Sequence, residues 1–403
     1  MRQLGFILML VTLLSPTEPL KGRSVQSLNG AWLFSEEPNG AIRAADWAKA
    51  PAPGARTTSV PSLWNCATAP NYRGVAWYWR TFTLPEAWKT QDVRVFFHGI
   101  AGESTCYLNG QQLGIVSSPY TLVQFDITKL VRWNEPNVLA LRVDASKSAL
   151  GGGIWQDVEL VASDEAHIMD VKVASEANGW VTVRVDLENT SQKTGDAEIY
   201  LDVVEGETDK SVARTLQHVE VSPGRNRTDV LLHVKKPRLW SPADPFLYVA
   251  RVSFRQGPDI LDNVDRTFGF RDVRAEGSGI LVNGARANVK WTKLACAARV
   301  SPEPPCSAAR EAQEIQTLRA KGYGGIWVEG GPLSSAALFA ADKEGMLIAE
   351  GPGPGMSVAD LVARDSGHPS VAAWHAPSPR DAEDFRTSDG TRPVLVAPPA
   401  QDP

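Results

Sequence analysis

The sequence has few of the residues that would indicate a metal centre or a nucleic-acid partner. Its 403 residues include six histidines and four cysteines, and none of them has zinc-ligand spacing such as His-Glu-x-x-His. Its 41 basic and 46 acidic residues are interspersed, without the basic runs that steer proteins to nucleic acid or anionic lipid. We therefore expect no metal, no cofactor and no nucleic-acid partner.

Long apolar runs are also lacking. The apolar stretch from Leu4 to Leu14 is shorter than the ~20 residues that a membrane-spanning helix needs. It follows Arg2 and precedes small and helix-breaking residues, which is the pattern of a secretory signal. We predict a signal peptide at residues 1–23, no transmembrane span in the mature chain, and a location that is secreted, periplasmic or in the cell envelope. An uncleaved anchor is the alternative.

Export would permit disulfide bonds between the few cysteines. Cys296 and Cys306 bracket a proline-rich loop and are the possible pair, with buried free thiols as the alternative.

A chain of this length is too long for one ordinary core, so we expect several domains. Residues 24–163 contain short apolar runs separated by turn residues, with Asn109-Gly110 between two of them. Both residues tolerate the positive φ of a hairpin turn. This segment is predicted to be an all-β domain of the jelly-roll type.

A second β domain is predicted over residues 164–273. Four apolar residues alternate there with polar ones, namely Val181, Val183, Val185 and Leu187. A period of two gives a strand with one buried face, and short strands at this spacing favour an immunoglobulin-like sandwich.

Residues 274–403 change to a repeated order of helix, glycine and apolar strand. Ser307 and Ser334 or Ser335 are predicted helix N-caps, and Gly322 and Gly345 follow the helices. This order predicts a parallel sheet. With "ANVKW" (287–291) as the first, we count five strands, whereas a closed β/α barrel has eight. We therefore predict a partial, truncated barrel.

The order of these domains and many phrases in them resemble glycoside hydrolase family 2, the family of β-galactosidases, β-glucuronidases and β-mannosidases. The phrases include "SLNGAWLF", "YRGVAWYWRTFTLP", "YLNGQQLG", "GGIWQDVEL", "LWSPADPFLY", "FGFRDV", "KEGMLIAE" and "HPSVAAW". The resemblance implies a sugar-binding jelly roll, an immunoglobulin-like sandwich and a catalytic barrel.

The catalytic residues that the resemblance implies are not in place. The family's acid follows the fourth strand in a phrase Trp-Ser-x-Gly-Asn-Glu; counting from Trp374 puts Ser378 at the asparagine and Pro379 at the glutamate. The family's nucleophile ends the seventh strand, which lies beyond our fifth. The loop "ASKSAL" (145–150) also lacks an acidic residue that some members direct towards the sugar.

Other residues are candidates for a rebuilt catalytic site or a remaining ligand-binding site. Glu329 and Glu350 end neighbouring predicted strands, where barrel enzymes keep their chemistry, and could form a new carboxylate pair; solvated or structural carboxylates are the alternative. Ligand-binding candidates are Glu350, His375 and three tryptophans that would offer flat faces to a sugar, Trp291, Trp327 and Trp374. Filling of the missing half barrel is the alternative for the tryptophans.

The leading hypothesis is an exported, non-catalytic relative of family 2 that binds carbohydrate or a protein partner. A structural or assembly protein of the cell envelope, which associates or oligomerises through open barrel edges, is the second. An active β-glycosidase with a rebuilt site is the third.

Overall fold

The computed structural model describes residues 22–37, 44–66, 68–70, 72–116, 119–148, 150–277, 279–295 and 307–398. The predicted signal segment, apart from its last two residues, and both cysteines of the possible disulfide, Cys296 and Cys306, lie outside the described residues. Among those described, no helix combines the length and the apolarity that a bilayer crossing requires.

The first sandwich packs a four-stranded sheet, in the order β1-β12-β5-β9, on a six-stranded sheet, β3-β2-β4-β10-β7-β8; β6 and β11 form a small third sheet. All of its strand pairs are antiparallel. The strands are β1 Ser24–Ser27, β2 Gly30–Glu36, β3 Arg56–Val60, β4 Val75–Phe82, β5 Asp92–Phe97, β6 Ile100–Ala101, β7 Glu103–Leu108, β8 Gln111–Val116, β9 Val123–Asp126, β10 Asn137–Asp144, β11 Gly153–Ile154 and β12 Val158–Ser163. Helix α1 (Ala44–Trp47) and two 3₁₀ turns, Trp64–Cys66 and Glu86–Trp88, lie in its loops.

Two local features explain this sandwich. Asn109 and Gly110 join β7 to β8 with φ of 53° and 87°, so the predicted hairpin is confirmed. Gly152 packs flat on a buried indole, since a Cβ there would lie 2.1 Å from the Trp64 ring. The backbones of Gly152 and Trp64 are also joined by a 2.8 Å hydrogen bond. The "GGGIW" segment therefore needs glycine for close approach.

The second sandwich consists of sheets β13-β14-β17 and β16-β15-β18-β19. Its strands are β13 Ala166–Ser175, β14 Trp180–Asn189, β15 Gly195–Glu205, β16 Ser211–Val221, β17 Gly224–His233, β18 Tyr248–Gln256 and β19 Asp259–Phe268. The four alternating apolar residues of β14 are at most 1% exposed, so the predicted buried face of this strand is confirmed.

A three-stranded antiparallel unit, the connecting hairpin, leads into the last part of the chain. Its strands are β20 Val273–Glu276, β21 Gly279–Val282 and β22 Ala285–Arg286. A parallel sheet in the order β23-β24-β25-β26-β27 follows. Its elements are β23 Trp291–Ala295, α2 Ala308–Ala320, β24 Gly325–Glu329, α3 Ser335–Glu344, β25 Leu347–Glu350, α4 Val358–Asp365, β26 Val371–His375, α5 Pro379–Ser388 and β27 Val394–Leu395.

The caps of this sheet's helices agree with the sequence, but its first strand does not. Ser307 and Ser334 cap α2 and α3 through their side chains, and Gly345 ends α3 with φ of 67°. The prediction that residues 287–291 form the first parallel strand is wrong. Ala287 donates to the carbonyl of Ile280 and belongs to the connecting hairpin, so parallel pairing starts only at Trp291.

The parallel sheet is covered on both faces. Its helix face shares a core with the first sandwich, through residues such as Tyr120 and Trp155. Its hairpin face packs on the connecting hairpin and on Trp240 and Leu247 of the second sandwich. The sheet is therefore the element on which both sandwiches converge.

Candidate functional site

The carboxyl ends of the parallel strands are the place where the sequence predicts chemistry. Consecutive side chains of a strand point to opposite faces. In β24, Trp327 lies on the hairpin face and Val328 on the helix face. In β25, Ala349 lies on the hairpin face and Ile348 on the helix face. Glu329 therefore projects from the hairpin face and Glu350 from the helix face.

Glu350 is fully buried. Its Oε2 accepts a 3.1 Å hydrogen bond from the backbone N–H of Leu333. Burial and the neighbouring Asp365 carboxylate raise the pKa of Glu350 well above its usual range, and the Arg364 guanidinium and the Leu333 N–H offset only part of this effect. The prediction that Glu350 contacts a ligand is wrong, because its side chain has no access to solvent.

The surroundings of Glu350 form a structural network between β25, α4 and the loop before α3. Arg364 donates to both carboxylate oxygens of Asp365, at 2.7 and 2.6 Å, and to the carbonyl of Leu333 at 2.7 Å. Together with the bond from Leu333 to Glu350, these bonds hold the loop at Leu333 against the carboxyl ends of β25 and α4. The alternative interpretation of Glu350, a structural acceptor, agrees with this geometry.

Glu329 lies in a different environment. Its Oε1 is 3.0 Å from the Lys293 ammonium, and its side chain is 43% exposed. The hydrogen bond from Lys293 outweighs burial and, with the Lys293 charge and a hydrogen bond from Trp327, lowers the pKa of Glu329. Because Glu329 and Glu350 lie on opposite faces of the sheet, the predicted rebuilt carboxylate pair is wrong.

The three candidate tryptophans do not form a sugar platform. Trp291, Trp327 and Trp374 are 5%, 2% and 0% exposed, and they are divided between the two faces. Trp374 stacks on Phe385 with ring centroids 5.3 Å apart. The alternative of core filling is therefore correct, since a parallel sheet covered on both faces buries its central side chains.

His375 ends β26 and is half-buried on the hairpin face. Its ring centroid is 4.3 Å from that of Trp327. Burial lowers the pKa of His375, although the Val328 carbonyl and the charges of Glu329 and Asp381 act in the opposite direction. His375, Lys293 and Glu329 are polar side chains of this face that solvent can reach.

The position that counting from Trp374 assigns to the family's acid is part of a helix terminus. Ser378 is the N-cap of α5: its Oγ accepts from the Asp381 N–H at 3.2 Å and donates to the Asp381 carboxylate at 2.6 Å. Pro379 is the first residue of α5, where its fixed φ and missing N–H fit well. The local sequence therefore builds a helix start where a proton donor would have to stand.

The structure adds a cavity that the sequence did not reveal. It has a volume of about 330 Å³ and lies between the first sandwich and the loop after β25. Its lining includes Glu103, Asp144, Lys147, Ser148, Leu150 and Pro354. The loop at residues 145–150 contains no acidic residue; the acidic groups of the cavity are Asp144, just before that loop, and Glu103.

Asp144 is a carboxylate of the cavity whose hydrogen bond and pKa are set by neighbouring groups. Its Oδ1 accepts from the Ser146 N–H at 3.0 Å. Burial raises the pKa of Asp144, but hydrogen bonds from Ser146 and the charges of Arg142 and Lys147 bring it below its usual range. The cavity thus offers an ionised acceptor. The described residues contain no group of three or more His, Cys, Asp or Glu side chains that could hold a metal ion.

Glu350→Gln tests the buried carboxyl. Glutamine keeps an acceptor for the Leu333 N–H but does not ionise. Folding raises the pKa of Glu350 above its reference value of 4.5, so the contribution of Glu350 to wild-type stability is fully present below that value and is lost as pH rises towards the folded pKa. The stability of the variant relative to wild type should therefore grow across this window, by about 1.4 kcal/mol per pH unit at most.

The measurement is urea unfolding of both proteins over a pH series. Glu314→Gln, on the exposed side of α2, is the control and should show no such trend. A stability difference between Glu350→Gln and wild type that does not vary with pH would contradict a raised pKa.

Two sequence models of "Glycosyl hydrolases family 2" match the chain. The model of the family's sugar binding domain matches residues 25–169, and another model of the family matches residues 166–271. Together they cover residues 25–271, more than half of the chain.

Individual relatives agree with these models. The chain is 23% identical over 337 residues to "Beta-galactosidase BoGH2A" of Bacteroides ovatus, with 75% of this chain and 39% of the relative covered. It is 24% identical over 373 residues to a beta-glucuronidase of Bacteroides fragilis, covering 79% of this chain and 52% of that one. The chain thus spans about two fifths to one half of the length of these relatives.

Solved structures share the fold. A family 2 member from Bacteroides cellulosilyticus superposes with a TM-score of 0.77 at 24% identity, covering 92% of this chain and 57% of that one. A beta-glucuronidase of the family gives a TM-score of 0.80 at 18% identity, covering 95% and 47%. The two family models and these relatives lead to one conclusion: the chain belongs to glycoside hydrolase family 2.

Proposed function

We propose that this member of family 2 binds carbohydrate without hydrolysing it. The observation that carries the proposal is Pro379, the first residue of α5, at the position that counting from Trp374 assigns to the family's acid. Proline has no proton to donate. General acid catalysis is worth about 10² to 10⁴ in rate, so its loss alone would leave little turnover.

The geometry of the two candidate carboxylates at the strand ends supports the proposal. A retaining glycosidase needs two carboxyl groups about 5 to 5.5 Å apart on either side of one glycosidic bond. Glu350 is buried on the helix face, and Glu329 is paired with Lys293 on the opposite face. These two residues cannot flank one bond.

We further propose that the architecture corresponds to part of the family's full layout. The first sandwich is its jelly roll (24–163), the second its immunoglobulin-like domain (164–273), and the five-stranded parallel sheet the first part of its barrel (274–403). The order of the elements and the 57% coverage of the solved family member support this correspondence.

The cavity is the proposed carbohydrate site. Its volume, about 330 Å³, is at the lower end of the range for small-ligand pockets. Glu103 and Asp144 can accept hydrogen bonds from sugar hydroxyls, Lys147 and Ser148 can donate to them, and Leu150 and Pro354 offer apolar surface. Two carboxylates and one ammonium favour a neutral sugar over a uronic acid.

The protein is proposed to act outside the cytoplasm, in agreement with the signal-like segment from Leu4 to Leu14. Assembly through the sheet edges stays a prediction. The edge strand β27 has only two residues, and short edges limit pairing with another chain.

The proposal predicts no release of chromophore from aryl β-galactoside, β-glucuronide or β-mannoside. The chain is assayed beside Glu329→Gln and Glu350→Gln, and all three should give the same background. Turnover by the wild-type chain that disappears in Glu329→Gln would overturn the non-catalytic proposal. It would identify the pair of Lys293 and Glu329 as part of a rebuilt site.

Binding in the cavity predicts that Asp144→Asn weakens the affinity for a neutral sugar. Asparagine keeps the acceptor for the Ser146 N–H but is a weaker acceptor for sugar hydroxyls than a carboxylate. We expect a loss of about 1.4 kcal/mol of binding free energy, which is a tenfold rise in Kd. The measurement is saturation-transfer NMR and calorimetry with methyl β-galactoside, methyl β-glucoside and methyl β-glucuronide.

Glu220→Gln, on the exposed side of β16, is the matched control and should bind as the wild-type chain does. Absence of binding to all three glycosides would refute a carbohydrate site in the cavity. Tightest binding to the glucuronide would contradict the neutral-sugar preference.

A further inference from the structure

The second sandwich carries an exposed tryptophan away from the cavity. Trp180, the first residue of β14, is 42% exposed, whereas the other twelve tryptophans are buried or half-buried. An indole left in water forgoes the stabilisation that burial of a large aromatic side chain provides. An exposed tryptophan side chain is therefore a candidate for ligand binding.

The turn that leads into β14 is rigid. The Glu176 N–H donates to the Trp180 carbonyl and the Gly179 N–H to the Glu176 carbonyl, both at 2.9 Å. Val234 closes the other side, since its N–H donates to Gly179 at 2.9 Å. Gly179 has φ of 98°, and a Cβ there would lie 2.1 Å from the Val234 carbonyl oxygen. The backbone of Trp180 is thus fixed.

The indole ring is also held in place. The His233 ring lies beside it, with centroids 4.8 Å apart, and His233 Nε2 is 3.1 Å from the Asn178 carbonyl oxygen. A ring that is already ordered loses little conformational entropy when a ligand stacks on it. Trp180 is therefore exposed and preorganised.

The apolar area around Trp180 is small. Leu231, 58% exposed, lies opposite Thr182 on the same face of the sheet. Beyond it the face is charged, starting with Arg184 and Asp229, which form an ion pair of 2.9 Å. A stable protein interface buries about 800 Å² per partner. Two apolar side chains bounded by ion pairs are too few for that, but they match the apolar face of one or two sugar rings.

Polar side chains lie in the turn directly before Trp180. The Asn178 amide donates to the Glu176 carboxylate at 3.0 Å, and Asn178 Oδ1 accepts from the backbone N–H of Trp180 at 3.1 Å. The exposed carboxylate and amide can bind hydroxyl groups that project from the rim of a sugar stacked on the indole. A flat ring with adjacent donors and acceptors is what a pyranose requires.

We infer that Trp180, with Leu231, His233, Glu176 and Asn178, forms a separate carbohydrate-binding platform on the second sandwich. It takes β-linked pyranose chains whose substituents are equatorial, because such rings present an unobstructed face of C–H groups. The inference is independent of the proposed cavity site, which lies on other elements, so each can fail without the other.

The test uses the full chain, with cellohexaose and xylohexaose as probes. The Trp180 indole N–H resonance is assigned by its absence in Trp180→Phe, and both sugars should shift it. Trp180→Ala should raise Kd at least about fivefold through the lost aromatic contact, whereas Trp180→Phe should stay within about threefold of wild type. Asp144→Asn should have no effect on this binding.

Leu216→Ala is the matched control, because Leu216 is 45% exposed on β16 of the other sheet. It should bind both probes as the wild-type chain does. The inference is overturned if neither sugar shifts the Trp180 resonance, or if Trp180→Ala binds both sugars with unchanged Kd.

Discussion

The alternation of side chains across the parallel sheet is the constraint on which the rest of the structure depends. In β24 and β25, consecutive side chains point alternately towards the helices and towards the connecting hairpin. Trp240 of the second sandwich reaches α3 and donates from its indole to the Asp342 carbonyl at 2.8 Å. The Asp342 carboxylate in turn binds His368 at 2.6 Å and the Ser370 N–H at 2.9 Å. The helix face packs on the first sandwich, and the hairpin face packs on the connecting hairpin and the second sandwich, so the sheet joins the domains.

The same constraint limits the chemistry at the strand ends. A glycosidase of this family needs two carboxylates that approach one bond, but the sheet sends Glu329 and Glu350 in opposite directions. Glu350 became part of the packing of α4 through Leu333 and Arg364. At the end of β26 the chain turns directly into α5 with Ser378 as its cap. Residues that could have formed a catalytic centre thus serve the fold.

The sequence predicts the features that depend on local rules. Asn109-Gly110, the alternation in β14 and the serine caps follow from backbone preferences and burial within a few residues, and all are found. The side that each strand-end residue faces does not follow from such rules. A strand buried on both faces is a near-continuous apolar run. The sequence "GGIWVEGG" therefore does not indicate whether Trp327 or Val328 lies on the helix face.

The cavity could not be predicted from the sequence, for a different reason. Glu103, Asp144 and Pro354 come from three distant parts of the chain and meet only where the first sandwich packs on the sheet. The first parallel strand was misplaced by four residues because the hydrogen bond from Ala287 to Ile280 extends the preceding hairpin. Both errors concern contacts between segments, which a one-dimensional pattern does not contain.

We propose that no carboxylate of this chain acts as a glycosidase nucleophile, and covalent trapping tests this proposal most directly. Activated 2-deoxy-2-fluoro glycosides form a stable ester with such a carboxylate, which intact-mass spectrometry detects as added mass. We expect an unchanged mass after incubation with the galacto, manno and glucuronic forms. Added mass that maps to Glu329, or to any other carboxylate, would contradict it.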